Sequence, residues 1–169
     1  MTDVEKLTRD TVKNGGVLAL LYFDIHARDK EAVQQLGTGF INSVIQKEGV
    51  VFALGEIDEP VGGEQGKNWS SSIELKVLTK DFATLANLCL AHSPFTIEIL
   101  RPDEIKLQLA EAHELLGLLS ATTAEYKRFI LTRMAKPEDI AKMQEDLRRR
   151  AEMGKSILEE KSKKEKGGS

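Results

Sequence analysis

Between residues 16 and 101 the period of apolar positions changes repeatedly, and each change marks an element boundary. "GVLALLYFDI" (16–25) is apolar, β-branched and aromatic behind Gly15-Gly16, which is the composition of a strand. Residues 30–48 switch to helical spacing: Val33, Leu36, Phe40, Ile41, Val44 and Ile45 share one stripe, and Gly49 stands where a helix ends. "VVFALGEI" (50–57) is a second strand. "SSIELKVLT" (71–79) alternates, with Ile73, Leu75 and Val77 on one face and Glu74 and Lys76 on the other, as in a sheet covered on one side. "DFATLANLCLAH" (81–92) returns to helical spacing through Phe82, Leu85, Leu88 and Cys89. "FTIEIL" (95–100) alternates again through Phe95, Ile97 and Ile99. The order βαββαβ predicts an α+β domain over 16–101. Its expected form is a ferredoxin-like sandwich, an antiparallel four-stranded sheet with two helices on one face.

The flanks read as helix. Residues 1–15 form a polar helical lead-in, and residues 102–160 a C-terminal extension of two to three helices. Pro102 sits where a first helical residue is allowed, ahead of an apolar face through Ile105, Leu109, Ala112, Leu116 and Leu119. "TTAE" (122–125) has the capping-box pattern, with Thr122 placed to cap and Glu125 to reach back. It would open a helix striped by Tyr126, Phe129, Ile130 and Met134. A third helix is expected from Pro137, with Ile140, Met143, Leu147, Ala151, Gly154 and Leu158 at near-heptad spacing. Residues 161–169 are polar and are expected to be a disordered tail.

The first strand has too much apolar surface for a lone sandwich. If Val17, Ala19, Leu21, Phe23 and Ile25 face the helices, then Leu18, Leu20 and Tyr22 fall on the open side of the sheet. Burying each of the three is worth roughly 1.5–3 kcal/mol, so something is expected to cover them: the C-terminal helices or a second subunit. A homodimer or higher homo-oligomer is therefore expected, with Leu18, Leu20, Tyr22, Trp69, Tyr126 and Phe129 as interface residues.

Composition narrows the partners. The chain has 169 residues with a formal net charge of −3, so nothing draws it globally to phosphate backbones or anionic membranes. Arg148-Arg149-Arg150 invites a nucleic-acid reading, but residues 136–169 hold ten basic and eight acidic residues and no aromatic to stack a base. The first residues lack a signal peptide's apolar core, and no apolar run is long enough to span a membrane, so a cytoplasmic location is expected. Cys89 is the single cysteine, excluding an internal disulfide and a cysteine-based zinc cluster; its apolar neighbours suit a buried, inert thiol.

Topology gathers the polar candidates at one sheet edge: the end of strand one, the hairpin loop 58–70 and the turn before strand four. Asp24, His26, Glu56, Asp58 and His92 meet there, a set that would suit a divalent metal or acid–base work. Nothing in it fixes a ligand geometry, no nucleophile elbow is present, and no catalytic residue or cofactor is assigned. "VGGEQGKN" (61–68) imitates a P-loop, but Val61 and Asn68 replace the required Gly and Ser/Thr, and the loop joins two antiparallel strands instead of opening a helix. The βαββαβ outline over 16–101 resembles the small-molecule-sensing ACT and related domains, although the turn after strand one, "DIHARDKE", has no glycine. That resemblance implies a regulatory module with a small-molecule ligand. The reading that emerges is a non-enzymatic oligomeric interaction or ligand-sensing module. A metal-binding protein or enzyme using the His26/His92 edge and the 56–67 loop is the alternative, and a nucleic-acid-associated protein the second alternative.

Overall fold

Two aspartates start the helices that carry the core. Asp29 accepts the Ala32 N–H (2.8 Å) and opens α2, Lys30–Ile45. Asp81 accepts both the Thr84 N–H (2.8 Å) and its hydroxyl (2.6 Å) and opens α3, Phe82–His92. The computed structural model describes residues 3–62, 68–134 and 136–166, with side chains of the last helix only to Ser156. In chain order the other elements are α1 (Asp3–Lys13), β1 (Val17–Ala27), β2 (Val50–Ile57), β3 (Trp69–Thr79), β4 (Thr96–Arg101), α4 (Leu109–Met134) and α5 (Pro137–Lys166). The chain is thus α+β, and it divides into two compact units, Met1–Leu119 and Ser120–Ser169.

The four strands form one antiparallel sheet in the order β2-β3-β1-β4. β1 and β3 pair without interruption from Val17↔Thr79 to Ala27↔Trp69. Directly opposed residues share a face, so this register sorts the side chains. On one side Val17, Ala19, Leu21 and Phe23 of β1 meet Ile73, Leu75 and Val77 of β3 and Ala53 of β2, under Val44 of α2 and Leu85 and Leu88 of α3. Leu21, Ile73 and Leu75 are at most 1% exposed, each worth roughly 1.5–3 kcal/mol of burial. Gly37 lets α2 come close: a Cβ there would lie 2.7 Å from Ile57 Cδ1 and 3.1 Å from Ile25 Cδ1.

α1 is turned onto the sheet by a Schellman cap. Gly16 N–H donates to Thr11 O (2.9 Å), Gly15 N–H to Val12 O (3.1 Å), and Gly15 takes the left-handed φ of +97° that glycine alone accepts cheaply. The cap explains part of the open face: Leu18 is 8% exposed with α1 beside it, and its neighbour Leu78 is fully buried. The lead-in helix therefore reaches the end of the face for which the C-terminal helices or a second subunit were expected.

Four other features depart from the sequence pattern. Phe95, Ile97 and Ile99 alternate as anticipated, yet stay 59%, 48% and 41% exposed, because β4 is an outer strand and α2 lies over β1, β2 and β3. Thr122 and Glu125 cap nothing: α4 runs unbroken through them, so two helices follow the sheet, and no proline or glycine between Leu118 and Met134 offers an exit. The reach-back carboxylate of this helix is Glu111, which accepts the Gln108 N–H at 2.7 Å. Pro102, joined to Arg101 by a cis peptide bond, precedes the helix rather than starting it. α5 continues to Lys166, past the point where the disordered tail was expected to begin.

Two glycines test this packing in opposite directions. Gly16→Ala should lower stability, because the new Cβ would fall 2.6 Å from Thr79 O and 2.8 Å from Thr11 O, both backbone. Gly39→Ala, with nothing within 4 Å inside α2, should raise it by about 0.5–1 kcal/mol. Urea denaturation of the two variants checks the sign of each.

Candidate functional site

The uncovered face of the sheet runs from apolar to acidic. Across the strands, Phe52, Leu78, Leu18 and Arg101 make one row, and Leu54, Lys76, Leu20 and Glu98 the next. Glu56, Glu74, Tyr22 and Thr96 form the third, followed by Ser72 with Asp24 and Ser70 with His26. Leu20 and Tyr22 are half-buried and Leu54 is exposed. Burial raises the Tyr22 phenol above its usual pKa, and the Glu74 and Glu98 carboxylates add to the shift. Glu56 and Glu74 are directly opposed like charges, an arrangement that destabilises a sheet.

The polar-edge residues share one end of the sheet but do not converge. Asp24 and Glu56 point out from the open face. Asp58 is fixed through its backbone: its N–H donates to Ser72 O (3.0 Å) and its carbonyl accepts the Ser71 hydroxyl (2.7 Å). His92 packs edge-on against Phe40 at 5.2 Å, and Phe40 against Phe23 at 4.7 Å, so its ring belongs to the aromatic packing on the helix side. Among the described residues its buried Nε2 has no hydrogen-bond partner, and burial, with the nearby Lys47 charge, pulls its pKa down. Among the described residues no three His, Cys, Asp or Glu side chains are grouped to hold a metal ion. Of the 56–67 loop, Glu64 and Lys67 lie outside the described residues.

His26 does border a groove. With Arg28, Gln35, Leu36, Phe40 and Ser43 it lines a volume of about 760 Å³ along α2. Sequence periodicity put Leu36 and Phe40 on one stripe with Val33 and Val44, yet Leu36 is 54% exposed at this groove, while Phe40, half-buried against Phe23, forms part of its wall. The signal was available: Gln35, Gly39 and Ser43 recur at helical spacing beside them.

The expected interface set splits three ways. Leu18, Leu20 and Tyr22 share the open face. Trp69 opposes Ala27, on the other side of the sheet, and its ring covers Gly62, where a Cβ would stand 3.1 Å from it. Tyr126 and Phe129 are on α4, 54% and 58% exposed, and the Arg133 guanidinium lies 5.0 Å above the Phe129 ring. Of the arginine run, Arg148 reaches Glu145 (3.9 Å) and Glu152 (3.8 Å), long exposed pairs that spread its charge over the helix surface. Burial raises the Cys89 thiol pKa, away from the reactive thiolate. No helix among the described residues is long and apolar enough to cross a membrane.

The MJ0538 family model matches residues 18–161, from β1 into α5, and the chain belongs to that family. No curated protein and no solved structure matches it.

The lowered pKa of His92 gives a pH signature. In the unfolded chain an imidazole takes up its proton near pH ~6.5, so below that pH the unfolded state binds more protons and stability falls as pH drops. His92→Phe keeps the aromatic packing and should flatten the stability slope between about pH 7 and pH 5.5, read by urea midpoints. An unchanged slope in the variant would remove His92 from this role.

Proposed function

We propose that this MJ0538-family chain is a ferredoxin-like, non-enzymatic interaction module of the cytoplasm that acts as a homodimer or higher homo-oligomer and senses a small-molecule ligand. The fold name is supported by a strand order that reads 4-1-3-2 from the β4 edge, with α2 and α3 on one face. The non-enzymatic reading is supported by the dispersal of the carboxylates and imidazoles over different surfaces.

The observation that carries self-association is α4. This 26-residue helix has no buried residue, and Tyr126, Phe129, Ile130 and Met134 stand 54%, 58%, 52% and 81% exposed on one face. A helix gains most of its stability by packing an apolar stripe, and burying the larger of these side chains is worth roughly 1.5–3 kcal/mol each. A second copy of the same helix supplies a matching stripe.

Light scattering with sedimentation velocity tests this. The wild-type chain should be a dimer or larger at micromolar concentration, and Phe129→Glu with Ile130→Glu should give a monomer that keeps its sheet signal in circular dichroism. A wild-type monomer at high micromolar concentration sinks the reading.

A further inference from the structure

α1 does more than shield Leu18. Its inner face and the ends of β1 and β4 enclose a cleft of about 590 Å³, inside the range of roughly 300–1,000 Å³ that small-molecule sites occupy. The floor is apolar: Leu18 is buried, and Val12 and Thr8 are half-buried. The rim is cationic, with Arg9 and Lys13 of α1 and Arg101 of β4. Among the described residues Glu5 is the one carboxylate that lines it. Arg9 reaches Asp10 only at 3.9 Å across solvent, and among the described residues Lys13 and Arg101 make no ion pair. The Schellman cap at Gly15 and Gly16 fixes the helix end that carries Val12 and Lys13, so one wall is held in place before any ligand arrives.

We infer that this cleft binds a small amphipathic carboxylate, with its apolar body on Leu18 and Val12 and its carboxylate between Lys13 and Arg101. The inference deepens the ligand-sensing part of the proposed function and is independent of self-association. Two features select this class. An apolar floor beneath a charged rim rejects a fully polar solute, which would leave Leu18 and Val12 facing its hydroxyls. An arginine beside a lysine suits a planar monoanion, which the guanidinium fork grips through two oxygens.

The probes are octanoate and 4-phenylbutyrate, titrated into the nitrogen-15-labelled full chain, with octanamide and inorganic phosphate as comparisons. Saturable shifts of the Val12, Lys13 and Leu18 amides are expected with both carboxylates. Octanamide should bind at least about tenfold more weakly, since it loses the charge-assisted contacts. Lys13→Gln and Arg101→Gln should each weaken octanoate by about fivefold or more while keeping a dispersed spectrum; Lys13 is exposed, so its variant remains informative if Arg101→Gln unfolds. Octanoate that leaves these amides unmoved overturns the proposal. So does octanoate affinity unchanged in Lys13→Gln, or inorganic phosphate that moves the same amides as strongly, which marks a plain anion site. Light scattering on the same samples reads self-association separately: a monomer that binds octanoate keeps the cleft and discards the oligomer.

Discussion

The antiparallel ladder between β1 and β3, unbroken from Val17↔Thr79 to Ala27↔Trp69, decides where every functional candidate of the sheet can point. Side chains alternate along a strand, so one fixed pair assigns all the others to a face. A slip of one residue would turn Ile73, Leu75 and Val77 into water and bring Glu74 and Lys76 against α2 and α3. The cost of that exchange holds the register. With the register held, Tyr22 must lie beside Glu74, and Glu56 must oppose Glu74. The acidic row on the open face is therefore a consequence of the core rather than a separately built feature.

The same alternation accounts for how much of the fold was legible. β1, β2, β3, α2 and α3 show in the sequence because each writes its own period over eight or more residues and is capped or closed nearby. β4 was equally legible as an element, but its exposure depends on which strand lies at the edge, a property of the whole sheet. "TTAE" failed for a related reason: a capping box marks a start only where the preceding residues leave the helix, and Ser120 and Ala121 have no reason to. Gly15 and Gly16 carried a signal that periodicity does not read, because a glycine pair behind a helix sets the direction of the next strand.

The candidate site was legible in its ingredients and not in their arrangement. Topology does bring the end of β1, the loop after β2 and the end of α3 to one edge. Reading that edge as a cluster overlooked side-chain direction: Asp24 and Glu56 leave through the open face, while His92 turns inward onto Phe40. The α1 cleft was harder to see. Arg9 and Lys13 look like ordinary surface charges of a polar helix, and Arg101 is far from them in sequence. Only the cap that folds α1 back over Leu18 makes the three neighbours of one apolar floor.

Charge on the open face bears on which surface would join two copies in the proposed self-association. That face holds Asp24, Glu56, Glu74 and Glu98 against Lys76 and Arg101. Stacking two such faces would bring the carboxylates of both copies into one dry layer, where desolvation of each unpaired charge costs several kcal/mol. The apolar gain from Leu20, Tyr22 and Leu54, at roughly 1.5–3 kcal/mol per side chain, does not clearly outweigh that. The stretch from Tyr126 to Met134 contains no acidic residue; of its three cations, Lys127, Arg128 and Arg133, the last rests on Phe129. Leu18, Leu20 and Tyr22 first raised the question of self-association, but a second copy, as proposed, would meet a carboxylate-free apolar stripe on α4, where the open face offers four carboxylates.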